Sequence, residues 1–280
     1  MSNQILEKTF AVSGAAKLSL GNIRGSVDIR SGADGVISVK AEKLTKTGDS
    51  ENTVIEMTQE SDGSVKVKTR FTDYWLGWLF GSNPCEVNYT VTAPRSCGLT
   101  VNGVSADVTV QGFEGDASFK TVSGDMVVRA LNGSLNFDSV SGDMQVADLA
   151  GNMRFNTVSG DINGERLAGS VRLNTVSGDI DFEESNLPSV SVSTVSGEVA
   201  METGLGEGPY SFKSVSGDLT LKVPADAHLT ADLQTLSGDL SVKLPVTSTT
   251  IHNGRQSVEA QGGGVRVSLN SVSGDMKIKS

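Results

Sequence analysis

Histidine is nearly missing from this sequence: His228 and His252 are the only imidazoles in 280 residues, and neither stands at a metal-ligand or triad spacing. Gly-x-Ser-x-Gly, paired-cysteine and phosphate-loop motifs are missing as well, so the chain reads as non-catalytic, with no cofactor. The alternative is a carbohydrate-active enzyme built on the repeated aspartates. Cysteine is equally scarce. Cys85 and Cys97 flank a predicted strand, Glu86 to Ala93, whose extended length separates them by roughly 35–40 Å. A disulfide needs Cα atoms within about 7 Å, so both are expected as free thiols. Basic residues are outnumbered, 23 Lys and Arg against 33 Asp and Glu, and a net charge of −10 disfavours nucleic acid. No run of about 18 apolar residues occurs, which excludes a hydrophobic transmembrane helix. The opening, Met1 to Val12, carries Glu7 and Lys8 and has no secretory apolar core. A complete chain of this kind is cytoplasmic, whereas one that has lost a leader belongs at the cell surface or outside the cell.

What the sequence has in abundance is glycine at a fixed interval. Glycines stand at 115, 124, 133, 142, 151, 160, 169 and 178, nine residues apart, and Ser-Gly-Asp recurs every 18, at Ser123, Ser141, Ser159 and Ser177. The interval then loosens to 19, 20, 21 and 36 at Ser196, Ser216, Ser237 and Ser273. Counting from the glycine, the third position is apolar (Met126, Leu135, Met144, Met153, Ile162, Val171, Ile180). So is the fifth (Phe119, Val128, Phe137, Val146, Phe155, Leu173, Phe182, with Gly164 the exception). The eighth is apolar too (Val122, Leu131, Val140, Leu149, Val158, Leu167, Val176). Positions three and five alternate as in a strand with one buried face. One rung cannot bury its own side chains, but stacked rungs form continuous internal ladders. The fold class is therefore all-β, a β-solenoid (β-helix) with 18-residue rungs made of two nine-residue units, right-handed as parallel crossovers are.

Residues 1–98 lack the strict nine and read as an irregular N-terminal β region and cap, continuous with a regular solenoid over 99–280. Within the cap, Glu51 to Gln59 and Ser64 to Arg70 flank an Asp62-Gly63 turn and form a predicted hairpin. A second hairpin, marked by Asn253-Gly254, is inserted near 249–260, after which Gly262 to Gly264 return the chain to a final rung, Val265 to Ile278.

The recurring Thr/Ser-Val-Ser-Gly-Asp (Thr121 to Asp125, Ser139 to Asp143, Thr157 to Asp161, Thr175 to Asp179, Ser214 to Asp218, Ser271 to Asp275) resembles the putative adhesin family of β-strand repeat proteins of unknown function, related to toastrack and head-GIN domains. The resemblance covers nearly the whole chain and implies a β-helix. For function it implies an adhesin-like protein or a partner of bacterial envelope-stress systems, binding a protein or a cell surface.

Three features are candidate sites. Asp125, Asp143, Asp161 and Asp179 form a column in which like charges about 5 Å apart repel. Each carboxylate either accepts backbone N–H groups at its own corner or joins its neighbours in a cation ladder, for example for Ca²⁺. Tyr74, Trp75, Trp78 and Phe80 form the one aromatic cluster, either a plug in the cap or an exposed interaction surface. Met276 to Ser280 ends on a predicted edge strand. There Lys277 and Lys279 guard the edge, or the strand self-associates with another copy.

Overall fold

The computed structural model describes residues 3–14, 16–72, 83–252 and 254–280. The chain divides into two compact units, Met1–Asp143 and Met144–Ser280. Every regular element among the described residues is a strand.

The first unit contains β1 (Gln4–Ala11), β2 (Lys17–Gly32), β3 (Val36–Leu44), β4 (Thr53–Gln59), β5 (Val65–Phe71), β6 (Glu86–Pro94), β7 (Gly98–Glu114), β8 (Ala117–Lys120) and β9 (Met126–Asp138). The 18-residue register is visible where β7 meets β9, Val108 on Met126 and Val110 on Val128, and where β8 meets β9, Phe119 on Phe137. The two phenyl rings stack with centroids 5.3 Å apart. β2 is already a rung, lying parallel to β7 with Leu18 on Leu99 and Ile29 on Val110. Its other side carries β5 and β6, and antiparallel strands follow: β4 on β5, β3 on β6, and β1 on β3. The Asp62-Gly63 hairpin forms as predicted, with Gly63 at φ +83°. β2 turns a corner at the buried Asn22. Its Nδ2 donates to the Val87 carbonyl at 2.7 Å, and the Thr69 hydroxyl donates to its Oδ1 at 3.1 Å while lying 2.7 Å from the Tyr89 hydroxyl. Burial pushes the Tyr89 phenol up to about 12 and the Cys97 thiol up to about 11. Cys85 and Cys97 are both free and buried.

The second unit contains β10 (Met144–Ser159), β11 (Ile162–Glu165), β12 (Ala168–Ser177), β13 (Ile180–Leu187), β14 (Val190–Ser193), β15 (Val199–Leu205), β16 (Tyr210–Lys213), β17 (Leu219–Lys222), β18 (Leu229–Gln234), β19 (Leu240–Lys243), β20 (Val246–His252), β21 (Arg255–Ala260), β22 (Val265–Asn270) and β23 (Met276–Lys279). Two parallel ladders run through it. One takes Met144, Ile162, Ile180, Val199, Leu219 and Met276 in turn, the other Met153, Val171, Val190, Tyr210 and Val267. Gly164, the exception in the fifth position, leaves room for a ring: a Cβ there would lie 2.7 Å from Phe182 Cδ1.

Positions three and five are buried as expected, but the eighth divides. Leu131, Leu149 and Leu167 are buried, whereas Val122, Val140, Val158 and Val176 are nearly half exposed. The cause is a backbone inversion. Ala130, Asp148 and Arg166 each precede a buried leucine and have φ of +54°, +56° and +53°, and a left-handed residue reverses which face the next side chain takes. The alternate unit has no such residue, so strict alternation carries the Thr or Ser inward and the following valine outward.

The rung order also departs from expectation. β23 is not an edge: it pairs in parallel with β17 on one side and β19 on the other. Likewise β22 lies between β16 and β18. The segment Val265 to Ile278 is thus inserted beneath the rung that precedes it in the chain, so the edge that Lys277 and Lys279 would guard, or through which the strand would self-associate, is not open. The outer side of β18 is taken by β21, which pairs antiparallel with it, and β20 follows β21 in the inserted hairpin.

Candidate functional site

The most repetitive surface is the corner made by each Thr/Ser-Val-Ser-Gly-Asp. Its first residue turns inward: Thr121, Ser139, Thr157, Thr175, Thr194, Ser214, Thr235 and Ser271 are buried. A buried hydroxyl needs a partner. Those of Thr175, Thr194, Thr235 and Ser271 donate to the carbonyl two residues on, at 3.1–3.3 Å, which clamps the turn. These residues were legible in the sequence only as part of the motif, although a period of two counted on from positions three and five lands on them.

The glycine follows from close approach. At Gly178, Gly197, Gly217 and Gly274 a Cβ would meet the carbonyl oxygen of the preceding rung's glycine at 2.1–2.3 Å, and φ is +120° to +148°. In the first unit Gly142 stands in the same relation to Gly124, at 2.0 Å. Backbone therefore touches backbone at these corners and a Cβ would clash there, whereas the corner that carries Asp107 has Ala106 in the glycine's place.

The aspartates reach to the next rung, an arrangement that neither reading of the column specified. Asp107 Oδ1 accepts the Asp125 N–H at 3.1 Å, and Asp125 accepts that of Asp143 at 3.0 Å. In the second unit Asp161 accepts from Asp179 at 2.9 Å and Asp179 from Glu198 at 2.8 Å. The pattern ends with Asp218 accepting from Asp275 and Asp275 from Asp239. These bonds give the carboxylates of Asp107, Asp125, Asp161, Asp179, Asp218 and Asp275 a structural task that offsets repulsion along the column. Among the described residues no three carboxylate, thiol or imidazole groups come together as a metal site would need.

The valine and the serine between them face solvent. In the first unit Val104, Val122 and Val140 form the apolar column, and in the second Val158, Val176, Val195, Val215 and Val272, with exposures of 47–49% in the latter set. Each corner edge therefore carries three parallel columns, apolar, hydroxyl and carboxylate, repeating at about the 4.8 Å strand spacing.

A groove of about 540 Å³ lies in the first unit, lined by Lys17, Asp62, Asp116, Ser19, Thr100 and Ser118 among others. Both of its carboxylates are engaged: Asp62 Oδ1 accepts from the Ser64 N–H and hydroxyl, and Asp116 Oδ1 from the Ser134 N–H. The Ser64 hydroxyl, then the Ser64 N–H, holds the Asp62 carboxyl below its ordinary range. An acid catalyst needs the opposite shift. Tyr74, Trp75, Trp78 and Phe80 lie outside the described residues.

No curated protein matches the sequence. In fold the chain is similar to a putative adhesin from Parabacteroides merdae, at 11% identity and a TM-score of 0.57, with 98% of this chain and 96% of that one covered. It is similar to the same degree, 11% and 0.57, to a putative adhesin from Parabacteroides distasonis, over 99% and 97% of the two chains. At such identity the likeness shows the fold alone. Stacked parallel rungs, corner glycines in contact and a profile match over residues 15–279 together show that the chain belongs to the Toastrack DUF4097 family.

Proposed function

We propose that this protein is a non-catalytic, adhesin-like binding protein, and that the Val-Ser-Gly-Asp edge is the surface it offers to a protein or cell-surface partner. The carrying observation is the valine column. A single exposed valine needs no explanation, but five of near-identical exposure in one unit make a continuous apolar strip. Solvent-facing polar residues would serve the turns at Val176, Val195 and Val272 equally well, because the inward Thr175, Thr194 and Ser271 already close them. The carboxylates beside the strip favour a partner that is neutral or basic. The adhesin-like reading carries with it a place at the cell surface, and among the described residues no helix is long and apolar enough to cross a membrane.

The test uses fluorescently labelled protein and washed bacterial cells, with retained fluorescence as the readout. Val176→Thr, Val195→Thr and Val215→Thr together keep the β-branched shape and remove the apolar strip, and retention should fall about tenfold, three losses of roughly 0.5 kcal/mol each. Unchanged retention with an unchanged fold would refute this surface. Release of reducing ends from polysaccharides by the parent protein would refute the non-catalytic reading.

A further inference from the structure

The second unit ends in one strand edge that lacks the usual guards. β20 pairs with β21 on one side, and among the described residues nothing pairs with its other side. All seven of its residues are exposed. Its sequence, Val246-Thr-Ser-Thr-Thr-Ile-His252, has no Asp, Glu, Lys or Arg, and five of the seven are β-branched. Unpaired N–H and C=O groups on such a strand are a template for another strand. The other one-sided strands are protected: β1 carries Glu7 and Lys8, β4 carries Glu56, and β19 ends on Lys243 two residues before Pro245. The two most exposed large apolar side chains of the described chain lie at the same end, Leu236 at 81% and Ile251 at 71%. The Thr235 N–H donates to the Gly254 carbonyl, which sets the hairpin tip against the corner that bears Leu236.

We infer that β20 is a homotypic interface, pairing antiparallel with β20 of a second copy across a two-fold axis at Thr249. The strand's fit to itself selects this occupant. Although two chains of net charge −10 repel as they approach, an antiparallel β20 pair brings no Asp, Glu, Lys or Arg into register and sets Thr247 opposite Ile251 and Thr249 opposite itself. A head-to-tail arrangement would set β20 against Glu7 and Lys8 of β1 or Glu56 of β4 and leave those charges beside a neutral strand. An isologous pair also closes, so it stops at two copies.

The experiment is sedimentation of the full chain across a hundredfold range of concentration, with two variants. The parent should pass from monomer to dimer and no further. Thr249→Lys with Ile251→Lys should stay monomeric where the parent is dimeric and should unfold at the temperature the parent shows when dilute enough to be monomeric, because both side chains are exposed. Thr249→Cys should form a covalent dimer with a short bis-maleimide, since residues opposite each other in a strand pair have Cβ atoms about 5 Å apart. A parent that is monomeric throughout, a double-lysine variant as dimeric as the parent, species larger than a dimer, or a dimer that Thr249→Cys fails to cross-link would each overturn the inference.

Discussion

Replacing Gly197 by alanine tests the corner most directly. Its φ of +120° lies in a region that side chains rarely enter, at a cost of about 1–3 kcal/mol. The added Cβ would also sit 2.3 Å from the Gly178 carbonyl oxygen, so the two rungs must separate by about 1 Å to reach ordinary contact. That displacement works against the Glu198 N–H to Asp179 bond at 2.8 Å and the Ser196 N–H to Val176 carbonyl bond at 2.9 Å, each worth about 1 kcal/mol. The sum is about 3–5 kcal/mol, read from urea unfolding. Gly63→Ala provides the control. Its φ is +83°, but nothing lies within 4 Å of the added Cβ, so only the dihedral cost of about 1–2 kcal/mol applies. If Gly197→Ala costs no more than Gly63→Ala, backbone contact between corners is not what selects the glycine.

Two further outcomes follow from the ladders and the core. Asp179→Ala removes the acceptor of the Glu198 N–H and should lower Tm by about 2–4 °C, whereas Asp179→Asn keeps an acceptor, relieves repulsion along the column and should leave Tm unchanged or higher; equal losses in the two would show that charge, not hydrogen bonding, is what the position supplies. Stability should also fall in alkali. Cys97 and Tyr89 have folded values of about 11 and 12, above their ordinary 9 and 10, so the folded state holds protons that the unfolded state has released. That stabilisation is complete below pH 9 and is lost between about pH 9 and 12. Urea midpoints across that range check it, with Tyr89→Phe expected to flatten the upper part.

The repeat was legible because the fold demands near-identical residues at equal intervals: an internal ladder accepts Met144 on Ile162 or Phe119 on Phe137 only if every rung presents a similar side chain. The corner glycines were legible for the same reason. The orientation of the corner was not. Threonine and valine are both β-branched and almost equal in size, so residue type does not say which of Thr157 and Val158 turns inward; the parity counted from Phe155 does, provided no left-handed residue intervenes. Nothing about Ala130, Asp148 or Arg166 announces φ near +55°, because glycine or asparagine would be the usual signal there. Their inversion explains why leucine at the eighth position goes in while valine at the eighth stays out.

The order of the last rungs has a different cause. Any rung bearing Leu/Val/Met ladders and a Ser-Gly-Asp corner can stack on any other, so the sequence is equally consistent with either placement of Val265 to Ile278. The short link between β21 and β22 decides. Leu229 of β18 pairs with Ala260 on one side and with Val265 on the other, so the four residues from Gln261 to Gly264 must carry the chain across the end of β18. Gln261, Gly262 and Gly263 do this with φ of +52°, +81° and +81° in succession, and a Cβ on Gly264 would stand 2.4 Å from the His228 carbonyl oxygen. The run of glycines that returns the chain to its last rung is a tight crossing over one strand. Because it delivers β22 to the inner side of β18, the hairpin is left on the outside, and β20 becomes a strand whose outer edge is unpaired among the described residues.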